Sequence, residues 1–137
     1  MLSDFRPEVQ KGLIDHLKNI GSFDGAKILE IEPGHSKVSI EVTEEATNFY
    51  GNAHGGFLFS LCDAISGMTS YAYEISNVTQ SASFSFLRGV KAGTTIFIEG
   101  NTIHKGRKTS VNLMTVTDDQ GKLVATGHFT MFFGNPV

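Results

Sequence analysis

This sequence predicts an α+β domain, with one long helix as its filling and an antiparallel sheet as its coat. Two observations carry that reading. From Phe57 to Tyr73 the chain is apolar on nearly every side at helical spacing, so this helix needs cover all round rather than one packing face. On both sides of it lie alternating segments joined by short turns, the pattern of antiparallel strands. A single curved sheet wrapped around a single helix satisfies both.

The elements follow in order. Pro7 to Ile20 reads as a helix, with Pro7 in its first turn, Val9, Leu13, Leu17 and Ile20 as its apolar positions, and Gly21 as its stop. Ala26 to Glu32 and Lys37 to Thr43 read as two strands around the turn Pro33-Gly34-His35-Ser36. Glu44 to Ala53 is polar and irregular. The long helix runs from about His54 to Glu74. Val78 to Val90 then alternates, with Ala82, Phe84 and Phe86 on one face and Ser81, Ser83 and Ser85 on the other. Thr94 to His104 carries Ile96, Ile98 and Ile103, and Lys108 to Thr117 carries Val111, Leu113 and Met114. Asp118-Asp119-Gln120-Gly121 makes a tight turn into a last strand, Lys122 to Phe133.

At 137 residues the chain is expected to be one domain, 1–137, with residues 1–23 as a helical extension. A sheet of this kind leaves open edge strands and one bare side of the helix. Edge-to-edge pairing of two copies covers both, so a homodimer is expected, with a dimer of dimers as the larger alternative. The formal charge of −3 and pI near 5.9 argue against nucleic acid or an anionic membrane as partner. No apolar run reaches the length of a membrane span, and the N-terminus lacks the pattern of a signal peptide. Cys62, the single cysteine, cannot form an internal disulfide, so a soluble, cytoplasmic protein is expected.

Chemistry concentrates around the long helix. Asn52-Ala53-His54-Gly55-Gly56 brings free N–H groups and the positive end of the helix dipole together, a natural place for a developing oxyanion. The structural alternative is that the glycines only permit a tight entry turn. Asp63 sits about two turns in, on a stripe with Ser60, Gly67 and Ser70. A carboxylate on so apolar a rod is either a tuned base or nucleophile, or a structural group with a partner. His104-Lys105-Gly106-Arg107-Lys108, with Arg88 and Lys91, is the cationic concentration; it suits phosphates, or forms a solvated turn. Cys62 faces about 100° away from Asp63 on an ideal helix and reads as a small buried thiol. The histidines His16, His35, His54, His104 and His128 have no metal-type spacing, so no metal is expected.

Gly51-Asn52-Ala53-His54-Gly55-Gly56, then Leu61-Cys62-Asp63-Ala64, Phe86-Leu87-Arg88 and Lys105-Gly106-Arg107-Lys108, resembles the hot-dog-fold acyl-CoA thioesterases of the phenylacetate-degradation type. The resemblance runs from about Asp24 to the C-terminus. It implies a long helix wrapped by an antiparallel sheet, with active sites formed across a dimer interface. Asp63 matches the family's catalytic acid, and Gly55 the N–H that polarises the thioester carbonyl. Asn48 matches an asparagine near the attacking water. Thr79 falls where a Ser or Thr helps hold that water or the acid, and His54 belongs to the same motif. Arg88, Lys105, Gly106, Arg107 and Lys108 would meet the CoA phosphates. CoA is then part of the substrate, and no separate cofactor is implied. Gly89-Val90 departs from the proline that often follows Arg88 in the family, which puts a local strand bend in doubt.

The implied reaction is hydrolysis of an acyl-CoA to a free acid and CoA. A hydratase or dehydratase on the same fold would need His54 and Asp63 to converge on the acyl chain. A non-catalytic acyl-CoA binder is the reading from another class, and the retained catalytic-type residues speak against it. Phe57, Phe59, Met68, Tyr71 and Tyr73 could line an acyl pocket or be plain core.

Overall fold

The computed structural model describes residues 1–18 and 23–137. Its elements are α1 (Pro7–Asp15), β1 (Lys27–Glu32), β2 (His35–Glu41), α2 (Gly55–Tyr71), β3 (Ile75–Phe86), β4 (Thr95–Lys105), β5 (Thr109–Thr117) and β6 (Leu123–Pro136). The order is the expected one. The first helix ends at Asp15 rather than Ile20, and the expected stop at Gly21 lies outside the described residues. The polar stretch before α2 holds a short 3-10 turn at Glu44–Ala46.

The six strands form one antiparallel sheet in the order β1-β2-β4-β5-β6-β3, so β1 and β3 are its edges. Its inner face wraps α2. Val38, Ile40, Ile96, Ile98, Met114, Val116, Phe129 and Met131 are buried there with Leu61, Cys62, Ile65 and Met68 of the helix. Removing each large aliphatic or aromatic side chain from water contributes about 1.5–3 kcal/mol. α1 closes part of the helix that the sheet leaves bare. Val9 and Leu13 are fully buried, and the His16 ring lies over Gly67 and beside Tyr71, its centroid 5.0 Å away.

Two strands differ from their sequence reading. On β5 the buried face is Ser110, Asn112, Met114 and Val116, so Val111 and Leu113 point outward. On β4 the alternation that buries Ile96 and Ile98 points Ile103 outward, where it is exposed. The polar groups this brings inside satisfy one another. Asn112 Nδ2 is shared among Ser66 O and Ser66 Oγ, both at 3.0 Å, and Ser70 Oγ at 2.9 Å. Asn112 Oδ1 accepts from Thr102 Oγ1 at 2.7 Å, and Ser70 bonds Ser110 at 2.7 Å. The network pins the rotation of α2 against the sheet.

That rotation leaves one stripe of α2 open. Gly56 and Phe59 are exposed, while Ser60 and Asp63 are half-buried. The helix is therefore not wrapped on every side within one chain, and Asp63 is less buried than its apolar neighbours suggested. Edge strand β3 borders this stripe and exposes Val78 and Phe86. No helix among the described residues is long and apolar enough to cross a membrane.

Two predictions follow from the sheet. Asn112→Ala strands buried hydroxyls and should cost about 1–3 kcal/mol in denaturant unfolding; a loss no larger than that of an exposed Thr→Ala change would contradict the network. On the outer face His35 Nε2 lies 2.7 Å from Glu30 and its Nδ1 2.8 Å from Asn101 Oδ1. The bond to Glu30, aided by Asn101 and Glu99, raises the imidazole above its ordinary value. A raised folded value favours the protonated ring, so its stabilisation is complete below about pH 6.5 and is lost as pH rises through the folded value. NMR titration of His35 should show this elevation, and Glu30→Gln should reduce it.

Candidate active site

The loop entering α2 is tied down on both sides. Ala53 N donates to Val90 O and His54 N to Ala46 O, each at 2.7 Å, and Lys91 Nζ reaches Tyr50 O at 3.2 Å. Asn52 bridges to Lys91, and Gly89 makes room for it: a Cβ at position 89 would lie 3.0 Å from the Asn52 side chain. Glycine in place of the family's proline thus fits a side chain rather than a bend. His54 is the N-cap of α2, and its Nδ1 accepts from Gly56 N at 3.0 Å. That cap leaves the Gly55 N–H at the positive end of the helix without a partner among the described residues.

Asn48 helps to shape this entry loop. Its Oδ1 accepts from Tyr50 N at 2.9 Å and from Asn52 N at 3.2 Å, so the oxygen shapes the loop. Only the Nδ2 end can face a ligand.

Asp63 Oδ1 accepts a hydrogen bond from Thr79 Oγ1 at 2.5 Å. Strict alternation along β3 would put Thr79 on the face of Ser81, Ser83 and Ser85. A bulge between Thr79 and Ser81 reverses that. Thr79 pairs with the buried Met131 and Ala82 with the buried Phe129, so both face α2. The bulge therefore aims the hydroxyl at the carboxylate.

Between Gly55 and Asp63 the α2–β3 groove is walled by aromatic rings. Phe86 lies against Gly55, Phe84 packs edge-on to Phe86, and Phe59 packs edge-on to Phe84. Of the residues expected to line a pocket, Phe59 alone faces this groove: Phe57 and Met68 are core, Tyr71 lies at Gly12, and Tyr73 sits beneath Lys105. Phe84 and Phe86 were missed as lining residues, although their alternation was legible. A cleft of about 270 Å³ opens beside the helix start, lined by Phe23, Glu45, Thr47, His54, Phe57 and Ser60 among others.

The cationic residues do not form one cluster within a chain. Arg88 follows the end of β3, where its N–H meets Val124 O, while Lys108 O accepts from Phe133 N beside the start of β3. Those ends are separated by about 30 Å of strand. Lys105 Nζ stands 5.0 Å from the Tyr73 ring and 5.5 Å from that of Phe133, in the turn with Gly106 and Arg107. Cys62 is fully buried, and burial pushes its thiol far above the ordinary range, so it is inert packing. Among the described residues one group of metal-type ligands meets, Glu30, His35 and Glu99, on the outer sheet face away from the groove.

Comparison with known proteins agrees with this geometry. Residues 50–125 match the thioesterase superfamily. The acyl-coenzyme A thioesterase PaaI of Escherichia coli K12 is 30% identical over 101 residues, 74% of this chain and 72% of that protein. A hypothetical thioesterase protein of Streptococcus pneumoniae TIGR4, solved with coenzyme A, superimposes with a TM-score of 0.86 at 34% identity, covering 92% of this chain and 97% of that one. It has also been solved as two alanine variants, one of an aspartate and one of a threonine. A Streptococcus mutans protein bound to acetyl CoA matches with a TM-score of 0.81 at 40% identity, over 88% and 98% of the two chains. The wrapped helix is the hot-dog fold, and the chain belongs to the thioesterase superfamily.

Proposed function

We propose that the protein hydrolyses an acyl-CoA thioester to the free acid and CoA, at a site shared by two copies of the chain. The observation that carries this is the Asp63–Thr79 pair in an open groove, with an unpaired Gly55 N–H on the same helix. Coenzyme A in the pneumococcal relative and acetyl CoA in the Streptococcus mutans protein support the substrate class. The aspartate and threonine replaced in the pneumococcal protein have the same spacing as Asp63 and Thr79.

Sharing follows from distance. Gly55 and Asp63 are about 12 Å apart along one helix, whereas an oxyanion donor lies about 2.7–3.1 Å from its oxygen and the attacking atom about 3–3.5 Å from the carbon. Within one chain only a fully stretched line of contacts would span that distance, so a donor from a second copy suits the geometry better. Edge strand β3 offers the remedy. Antiparallel pairing of two β3 edges, with the twofold between Ala82 and Ser83, sets Thr79 opposite the partner's Phe86, which lies on the partner's Gly55. The same register brings the partner's Arg88 opposite Asn77, beside Lys108. The cationic residues that are split within one chain then form one phosphate-binding face across two.

In this arrangement the partner's Gly55 N–H donates to the thioester oxygen, and the helix dipole stabilises the charge that grows there. Loss of one such donor typically costs about 2.7–4 kcal/mol of barrier. Asp63 either takes a proton from the attacking water or attacks directly to form a mixed anhydride, which water then opens; in both routes the CoA thiolate leaves and is protonated. Thr79 orients the carboxylate. His54 caps the helix, its Nδ1 accepting from Gly56 N.

Asp63→Asn should lower thiol release from acyl-CoA by at least ~10²-fold while dimer mass and CoA binding persist. Hydrolysis at near the parental rate would sink the mechanism. Thr79→Ala removes a hydrogen bond to a charged group and should slow turnover roughly 10-fold or more, with Thr79→Ser largely preserving it. Single turnover in labelled water separates the two routes by whether label enters Asp63.

A further inference from the structure

We infer that Phe86 limits bulk beside the reacting carbonyl, so that the site accepts acyl groups unbranched at the carbon next to the thioester and rejects branched ones. This rests on Gly55 as the carbonyl-binding N–H. The ring of Phe86 fills the space alongside that group: a Cβ built on Gly55 would lie 3.3 Å from its Cε1 and 3.4 Å from its Cζ. With the thioester oxygen on the Gly55 N–H, the acyl α-carbon is one bond beyond the carbonyl carbon and comes up against this ring. A straight chain presents a methylene there, whereas a branched one presents a methyl that the ring must yield to.

Moving the ring aside carries a cost. Although Phe86 is 55% exposed in one chain, it packs edge-on to Phe84 with centroids 5.0 Å apart. Phe84 in turn meets Phe59 at 5.6 Å and Phe129 at 5.9 Å, and Phe129 is fully buried. Swinging Phe86 aside breaks the first contact of a stack rooted in the core. None of these rings carries a group able to move a proton. Phe86 therefore acts through shape, as a specificity residue.

The test compares two thioesters of identical composition, butanoyl-CoA and 2-methylpropanoyl-CoA, by thiol release. The parent protein should favour the straight chain in kcat/KM by about 10-fold or more, the scale on which a pocket resolves one methyl group. Phe86→Ala should bring the ratio close to unity by raising the branched substrate relative to the straight one. Phe86→Leu, which keeps the surface apolar, serves where the alanine variant fails to assemble, and should reduce the ratio partway. A parental ratio near unity, or a ratio unchanged in the variants, overturns the inference. Release from neither ester while other acyl-CoA thioesters are hydrolysed also overturns the inference, whereas release from none of a broad acyl-CoA panel overturns the thioesterase reading on which it rests, so the two failures are distinct.

Discussion

A straight helix fixes the distance between the groups it carries, and α2 carries at Gly55 an N–H without a partner among the described residues and at Asp63 its only carboxylate, about 12 Å apart. Everything else in the structure is arranged around that separation. The His54 cap takes the Gly56 N–H and leaves the one at Gly55 available. The bulge in β3 turns Thr79 onto Asp63. In the proposed arrangement, the bare stripe of α2 and the open β3 edge are the parts through which a second copy would complete the site.

The core serves the same end. Asn112, Thr102, Ser66, Ser70 and Ser110 form a buried set of hydrogen bonds where apolar packing alone would let the helix turn about its axis. Fixing that rotation decides which residues α2 leaves exposed, and so keeps Asp63 facing β3. The flank covered by α1 is closed by Val9, Leu13 and the His16 ring over Gly67. Stability and site geometry are thus set by the same contacts.

Much of this was legible in the sequence because it depends on local pattern. The apolar run of α2 and the alternation of Phe84 and Phe86 gave the wrapped helix and its order of strands. Asp63 stood out as a charge on an apolar rod. What could not be read depends on irregularities and on distance across the fold. A one-residue bulge inverted the face of Thr79. Composition suggested one cationic patch, but Arg88 and Lys108 sit at opposite ends of β3. Val111 and Leu113 drew the apolar face of β5 outward from where Asn112 and Ser110 in fact bury themselves, since only the partner hydroxyls on α2 make that burial favourable.

The shared site is tested most directly by complementation. Asp63→Asn removes the acid, and Gly55→Pro removes the N–H at a first-turn position that tolerates proline. Each variant alone should fold, dimerise and be inactive. Equal amounts mixed and allowed to exchange should recover about a quarter of parental thiol release, since half the dimers are mixed and one of their two sites is intact. Activity that stays at the level of the separate variants, with exchange verified by mass, would contradict a site built from two chains.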